Sequence, residues 1–565
     1  DNGMWWSDEW LGHYKTYFLS ILNRQNTITG DYYKDNPGLY AWEFFNEAGI
    51  SDTFKRGFYD GIVKNIDGAG YWLTELNSKL AAWWATNVGG SVPAWGDAGA
   101  VGFPVFATWA SWGDAAEKEA LALFIDDTEY DVAVALKAWF KTYSQSLYVY
   151  ATGNYVGTRA GNVSEVESYH IYSRTTPVGT HNSTSPSYVN RDTILKNSNG
   201  FDYAKNSVMR APGQAFVNNE IGNYGLTPFD FETTILSAIV AALQDTDGYN
   251  CFVEGQTKFQ QGIVGIQSLS HMHTGWPSRK LAMLFANLVF KNGLIQPLAS
   301  TKTYVIDPAT LPAYSIANYP TTGWRTSGFN VNSVGGGNEW AWLTSKLYTE
   351  LDTPPSFAGI TSITDTNITS GVTVNTPNGQ VLWRGHLAAT PRVRLDFPGV
   401  KGWTTNVEDE TISTTANSFG ISGSGGYKGV CNITAMGAWG LYDGDCLLFI
   451  HGNSYPTNVT TSVPVGTWDG QTVGQTINSN GTESLTRTNI PAPFTVTLGT
   501  GSRDQLVSAI EDDGTETPIT TTYNGSTVVF TTSATAPLYW IRPRDDSTPN
   551  VWPHAARHLF AWWER

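Results

Sequence analysis

Two glutamates follow segments with the composition of buried parallel strands. Glu47 ends the run Tyr40-Ala-Trp-Glu-Phe-Phe-Asn-Glu47, and Glu220 ends the run Ala215-Phe-Val-Asn-Asn-Glu220. In a β/α barrel the carboxyl ends of the strands form the concave mouth where active sites lie. Two carboxylates there, one protonated and one ionised, have the chemistry that cleaves a glycosidic bond. Because a single glutamate after a strand is more often a solvated or salt-bridged rim residue, the neighbours of each one matter.

Polar neighbours favour the catalytic interpretation. Asn46 directly precedes Glu47 and can hydrogen-bond a sugar hydroxyl. Between the two glutamates, alternation along the run Glu167-Ser-Tyr-His-Ile-Tyr172 puts His170 and Tyr172 on one face of a strand. Both side chains can then reach a carboxylate or a substrate hydroxyl. The alternative interpretation of His170 is a hydrogen-bonded core histidine.

Aromatic residues are unusually abundant: 23 Trp, 27 Tyr and 25 Phe make up 13% of the chain. Flat aromatic faces suit the apolar faces of sugar rings, and buried Trp and Tyr each need a hydrogen-bond partner. Most of them are explained equally well by a large β-rich core. The best candidates for sugar stacking are Trp95, Trp109, Trp112 and Trp276.

Residues 1–300 alternate between strand-like and helix-like patterns, which predicts a parallel β/α architecture. The strand-like segments are 38–45, 146–151, 166–172, 215–218 and 249–253. Apolar residues at helical spacing mark helices near 14–22, 132–143, 231–243 and 278–291.

The composition changes after this region. Residues 356–545 are rich in Thr, Ser, Asn, Gly and Val, which predicts an antiparallel β-sandwich. Residues 371–383 read as a hairpin with Pro377-Asn-Gly379 as its turn. We expect a connecting layer over 301–355 and an aromatic tail over 546–565.

The order of these motifs resembles the clan of (β/α)8-barrel (TIM-barrel) retaining glycoside hydrolases, and its mannanase- and cellulase-like members in particular. Their catalytic glutamates follow strands 4 and 7. Residues 22–47 are similar to the approach to strand 4, His170-x-Tyr172 to strand 6, and Asn219-Glu220-Ile-Gly222 to strand 7. Residues 247–254 are similar to strand 8, so the likeness extends over 10–295.

The resemblance implies a role for several residues. Glu47 would be the acid/base and Glu220 the nucleophile, with Tyr172 orienting the nucleophile. Independently of the resemblance, Asn46, His170 and Asn219 are candidates for contacts with substrate. The clan usually has a substrate-stacking Trp at the end of strand 8, where this chain has Phe252 and Glu254. Glu254 is therefore either a specificity contact or a rim charge.

The front of the barrel departs from the clan. Only 46 residues precede Glu47, and a βα unit averages about 31 residues. Barrel strands 1–3 are therefore expected to be absent from this sequence. A separate chain, or a cleaved segment that stays bound, would complete the barrel as a partner, unless the segment is simply missing from the sequence.

Composition excludes several classes of partner. The net charge is −16 and the 34 Lys and Arg form no run, so nucleic acid is not expected. No apolar run approaches the roughly 18 residues of a membrane span. Cys251, Cys431 and Cys446 form no metal-ligand pattern, and Cys431 and Cys446 are either a disulfide or buried free thiols. Sparse charge and a β-rich tail suggest a secreted, extracellular protein. An alternative is a protein attached to a cell surface or to a virion.

The leading hypothesis is a retaining glycoside hydrolase that cleaves a β-linked polysaccharide or oligosaccharide through a covalent intermediate on Glu220, with no metal or organic cofactor. A second hypothesis is a non-catalytic carbohydrate-binding or structural protein, on a surface or a virion. A third is a transglycosylase with the same glutamates.

Overall fold

The computed structural model describes residues 6–46, 71–94, 115–152, 159–173, 187–188, 193–196, 207, 210–223, 229, 231–251, 277–306, 338–351, 373–385, 390–413, 418–423, 427–437, 446–452, 454–461, 467–468, 471–472, 475–487, 493–499, 504–511 and 514–544. The α-helices in this part of the chain are α1 (Asp8–Leu22), α2 (Tyr71–Asn87), α3 (Ala115–Lys141), α4 (Arg159–Asn162), α5 (Glu232–Gln244) and α6 (Pro277–Lys291). Short 3-10 helices lie at Tyr33–Asp35, Ile194–Lys196 and Asn338–Leu343.

Strands in the first half of the chain pair in parallel. They are β1 (Ala41–Asn46), β2 (Leu147–Thr152), β3 (Val166–Ser173), β5 (Ala215–Asn223) and β6 (Gly248–Cys251). β1 pairs with β2, and β5 lies between β3 and β6. The backbone N–H of Glu165 donates to the carbonyl of Tyr148 at 2.8 Å, which places the start of β3 beside β2. These strands and helices α1–α6 are called the parallel-strand region below.

Helix α1 shows how the local sequence directs this packing. The Ser7 hydroxyl accepts a hydrogen bond from the Trp10 N–H at 3.4 Å and caps the helix. The ring of Phe18 stacks on Phe44 of β1 with 4.2 Å between centroids. Tyr148 and Tyr150 of β2 are fully buried in the same core as Phe18 and Phe44. Aromatic rings therefore fill the layer between the helices and the first two strands.

The predicted alternation of strands and helices is present, and most ends differ by a few residues. The exception is α3, which begins at Ala115, 17 residues before the predicted start at 132. Five parallel strands occur among the described residues of this region, and a closed eight-stranded barrel is not shown there. The complete barrel remains a prediction. A further parallel pair, β7 (Thr301–Ile306) with β8 (Lys346–Leu351), occupies the predicted connecting layer.

Antiparallel sheets form the rest of the described chain. The strands are β4 (Ser187–Tyr188), β9 (Thr373–Asn375), β10 (Val381–Arg384), β11 (Arg392–Asp396), β12 (Val400–Glu408), β13 (Glu410–Ser413), β14 (Ser418–Ser422), β15 (Tyr427–Gly437), β16 (Cys446–His451), β17 (Ser454–Thr461), β18 (Thr467–Trp468), β19 (Gln471–Thr472), β20 (Gln475–Arg487), β21 (Thr495–Gly499), β22 (Gln505–Ile510), β23 (Glu516–Ile519), β24 (Thr521–Tyr523), β25 (Thr527–Thr531) and β26 (Leu538–Pro543). In the described part, nine strands form one sheet in the order β23-β22-β26-β16-β15-β12-β11-β10-β9, and five form another in the order β13-β14-β21-β25-β24. The predicted hairpin is confirmed, because β9 and β10 pair antiparallel across the Pro-Asn-Gly turn.

The nine-stranded sheet has an apolar surface on both faces. One face shares a core with the five-stranded sheet, which includes Trp403 and Phe419. The other face packs against α5 and α6 and includes Trp383 and Phe449; this is called the large core. Large antiparallel sheets are therefore present as predicted, and the domain boundaries remain predictions.

The thiols of Cys431 and Cys446 are free and buried. They lie on neighbouring strands, but Cys446 stands opposite Gly437, six residues along β15 from Cys431. At about 3.4 Å per residue this separates them by roughly 20 Å, far beyond disulfide reach. Of the two alternatives in the sequence, the free-thiol one is confirmed for this pair.

Candidate active site

Strand β5 contains one residue more than the paired stretch of the neighbouring strand β3. Between β3 and β5 the pairing passes from Tyr169 opposite Asn218 directly to His170 opposite Glu220, which leaves Asn219 unmatched. The pairing with β6 shifts over the same stretch of β5. Agreement on both sides identifies a β-bulge in β5, a feature often found next to active sites.

Strand alternation shows how the bulge orients Glu220. Phe216 and Ile221 both belong to the large core, although they are five positions apart and strict alternation would place them on opposite faces. Val217 points the opposite way, into a small core that it shares with Val166 of β3. The extra residue therefore leaves Glu220 on the Val217 face. His170 lies on the same face as Val166, since these two residues are four apart in β3.

His170 and Glu220 form the central contact of this face. Nδ1 of His170 lies 3.2 Å from Oε2 of Glu220. His170 is 4% exposed and Glu220 is 9% exposed, so the pair is shielded from bulk water. A proton on Nδ1 would be donated to the carboxylate, which fixes both the ring and the orientation of the carboxylate. This arrangement suits a carboxylate that must be held in position for reaction.

A second buried carboxylate lies on the opposite face of β3. Burial raises the pKa of Glu167 to about 7, against the hydrogen bond from the Ala211 N–H and the positive charge of Arg210. That N–H lies 2.7 Å from Oε2 of Glu167. The Arg210 guanidinium donates to the Asp245 carbonyl at 3.0 Å and covers the Tyr348 ring at 4.3 Å. Sequence reasoning missed this group, because its partners come from distant segments.

The two asparagines of the bulge differ in exposure. Asn218 is fully buried, and neither polar atom of its carboxamide has a hydrogen-bond partner among the described residues. Asn219 is half-buried, and its Oδ1 is shielded and has no partner. The Ser168 hydroxyl, two residues before His170, is also buried and has no partner in the part of the chain that the structure describes. Three polar side chains close to Glu220 therefore have unused hydrogen-bonding capacity.

The remaining predicted site residues lie in several places. Asn46 is exposed and is the last residue of β1, so Glu47 follows directly after that strand. Tyr172 is in β3 opposite Gly222, and its side chain lies outside the described part. Glu47, Trp95, Trp109, Trp112, Phe252, Glu254 and Trp276 lie outside the described residues.

Among the described residues, no group of three or more His, Cys, Asp or Glu side chains is arranged to hold a metal ion. Within the same residues, no helix has both the length and the apolar character of a membrane span.

No protein-family model matches the sequence. Short segments are similar to plant mannan endo-1,4-beta-mannosidases. A stretch of 53 residues is 38% identical to mannan endo-1,4-beta-mannosidase 1 of Arabidopsis thaliana, covering 9% of this chain and 13% of that protein. Another of 128 residues is 28% identical to mannan endo-1,4-beta-mannosidase 3 of Oryza sativa subsp. japonica, covering 19% of this chain and 27% of that protein.

The chain thus spans about a quarter or less of the length of these curated relatives. Among solved structures, the endo-beta-1,4-mannanase from Thermotoga petrophila is similar at 12% sequence identity and a TM-score of 0.29. That likeness covers 54% of this chain and 57% of the mannanase. The TM-score is too low to establish a shared fold.

Proposed function

We propose that the chain is a glycoside hydrolase that acts on a β-linked mannan with retention of configuration. The observation that carries this proposal is the contact between Glu220 and His170 on neighbouring parallel strands. Oε2 of Glu220 lies 3.2 Å from Nδ1 of His170, which orients the carboxylate. The local similarity to mannan endo-1,4-beta-mannosidases supports mannan as the first polysaccharide to test.

In the proposed reaction the Glu220 carboxylate attacks the anomeric carbon, and the bond from that carbon to the leaving sugar oxygen breaks. The Glu47 carboxylic acid gives its proton to the leaving oxygen. Water then attacks the same carbon and loses a proton to the Glu47 carboxylate, and the ester to Glu220 breaks. A retaining enzyme of this type holds its two carboxyl groups about 5–5.5 Å apart.

The shielded position of Glu220 fits this role. The protein around a nucleophilic carboxylate has to exclude bulk water until the leaving group has departed. Glu220 is only 9% exposed. His170 limits the rotation of the carboxylate. Asn46, Tyr172, Asn219, Phe252, Glu254 and Trp276 are the residues proposed to contact the sugars.

The proposal is tested by incubating the protein with β-1,4-mannan and, separately, with β-1,4-glucan and β-1,4-xylan. New reducing ends from mannan are expected, and the variants Glu220→Ala and Glu47→Ala should each lose about 10²–10⁴-fold in rate. Full activity in either variant would remove that residue from the mechanism.

Two further measurements separate the alternatives. A 2-deoxy-2-fluoro-mannoside with a good leaving group should label the peptide that contains Glu220, as detected by mass spectrometry. Binding of mannan without any cleavage would instead support the non-catalytic hypothesis. Products longer than the substrate would indicate a transglycosylase.

A further inference from the structure

Helix α5 is buried on every side. All 13 residues from Glu232 to Gln244 are buried, including the polar Thr233 and Ser237. A helix in a β/α fold normally keeps one polar face in water. Here the strand β5 covers one side of α5, and the nine-stranded sheet contributes to the same large core. The helix that follows the Glu220 strand therefore lies inside the molecule.

The buried carboxylate of Glu232, the first residue of α5, connects three segments. Its Oε2 accepts a hydrogen bond from the Ile194 N–H at 2.9 Å. Its Oε1 accepts from the Thr405 hydroxyl at 2.6 Å and also from the Thr193 hydroxyl. Thr405 belongs to β12 in the nine-stranded sheet, 173 residues along the chain. A buried carboxylate needs such donors, because an unsatisfied charge is costly inside a protein.

The backbone on the sheet side is unusual at this contact. Thr405 has φ 84°, a left-handed conformation that is an outlier for a β-branched residue. Such strain persists only where the surroundings enforce it. Nearby, a Cβ added to Gly385, the residue that follows β10, would clash with the Leu195 carbonyl oxygen. The 193–196 segment is therefore packed closely against the sheet.

The opposite end of α5 is also anchored. The Gln244 carboxamide donates to the carbonyls of Trp342 and Ser345 at 2.6 and 2.8 Å, and it accepts from the Leu347 N–H at 3.0 Å. Both ends of the helix thus bond to segments outside the parallel-strand region.

We infer that Glu232 joins the parallel-strand region and the antiparallel sheets into one cooperative unit, in which the sheets support strand β5 and are not a separable accessory domain. Cooperativity follows because Glu232 loses a donor, and the large core that α5 shares with the sheet opens, whenever the sheet moves away. This inference does not depend on the proposed hydrolase activity.

Neighbouring threonines of β12 provide a matched test. Thr404 and Thr405 are both buried. Within the described residues the Thr404 hydroxyl has no partner, whereas that of Thr405 bonds to Glu232. Thr405→Val keeps the shape and the β-branching and removes only the donor. Amide hydrogen exchange of the full-length variant, followed by mass spectrometry, should be at least about tenfold faster in peptides covering 193–196 and α5. Thr404→Val should leave these peptides unchanged, and Thr405→Ser should restore protection.

A measurement on the unchanged protein keeps the inference testable if Thr405→Val fails to fold. Amide exchange is measured at increasing, subdenaturing guanidinium concentrations. The free energies of opening of the most protected amides of α5 and of β12 should converge on one value, as expected for a single opening event. Acceleration confined to sheet peptides in Thr405→Val, or separate opening events for α5 and β12 in the unchanged protein, would show that the sheets form an independent domain and would overturn the inference.

Discussion

His170 and Glu220 stand opposite each other on neighbouring parallel strands, with 3.2 Å between Nδ1 and Oε2. If Glu220 is the nucleophile, His170→Ala should lower kcat on mannan about 10²-fold, because the carboxylate loses the group that orients it. KM should change much less. Steady-state kinetics measure both constants.

Ser168→Ala is the matched control for this prediction. Ser168 lies on the same face of β3, and its buried hydroxyl has no partner, so the substitution should leave kcat within about twofold. An unchanged kcat in His170→Ala would mean that His170 has no part in positioning Glu220.

Glu167 predicts a specific pH dependence of stability. Burial raises the pKa of Glu167 from 4.5 to about 7, so the folded protein holds a proton that the unfolded chain releases between these values. Stability from this group is present below pH 4.5 and is lost as the pH rises to about 7, by on the order of 3 kcal/mol. Glu167→Gln should remove that pH dependence, measured by guanidinium unfolding from pH 4 to 8.

Glu165, two residues earlier, is a control of opposite sign. Burial raises its pKa, but hydrogen bonds from Lys141 and from the Tyr148 N–H outweigh this, so the pKa is lowered. Its stabilising contribution is therefore present at neutral pH and is lost in acid. If Glu165→Gln and Glu167→Gln changed the pH profile in the same direction, the assignment of Glu167 would be wrong.

Local periodicity was sufficient to predict most strands and helices of the parallel-strand region. The sequence predicts a strand over 215–218, whereas β5 continues to Asn223. Asn is disfavoured in strands, so Asn218-Asn219 looks like the end of one. Pairing with β3 and β6 overrides this preference and accommodates the extra residue as a bulge.

Contacts between distant segments could not be predicted in this way. Nothing in the sequence near Glu232 or Thr405 indicates that their side chains meet, and threonine is a poor choice for a positive φ. Likewise, Glu167 was visible only as part of the His170 motif. Its buried carboxylate contacts residues 210–211, which no local pattern connects to it.

The state of the cysteines gives a simple test. Cys431 and Cys446 are buried free thiols, and burial raises the pKa of Cys431, which disfavours its reactive thiolate. A reducing agent should therefore leave the thermal unfolding midpoint unchanged. Loss of a native disulfide would typically cost about 2–5 kcal/mol, a clear decrease in the midpoint. Such a decrease would contradict the free-thiol assignment for this pair if the reducing agent also lowered the midpoint of the Cys251→Ala variant, in which Cys251 cannot form a disulfide.

Arg210 predicts a large loss of stability on substitution. It is 3% exposed and donates to the carbonyls of Gln244, Asp245 and Leu347, so it joins the end of α5 to β8. Arg210→Met keeps the aliphatic stem but leaves buried carbonyls without a donor, which should cost about 2–4 kcal/mol in the free energy of unfolding. Arg210→Lys should recover only part of this, because an ammonium cannot reproduce the planar set of donors.

The exposed Arg544, paired with Asp504 at 2.6 Å, is the control, and Arg544→Met should change stability by at most about 0.5 kcal/mol. Equal effects at the two arginines in denaturant unfolding would show that the buried network around Arg210 contributes no more than a surface ion pair.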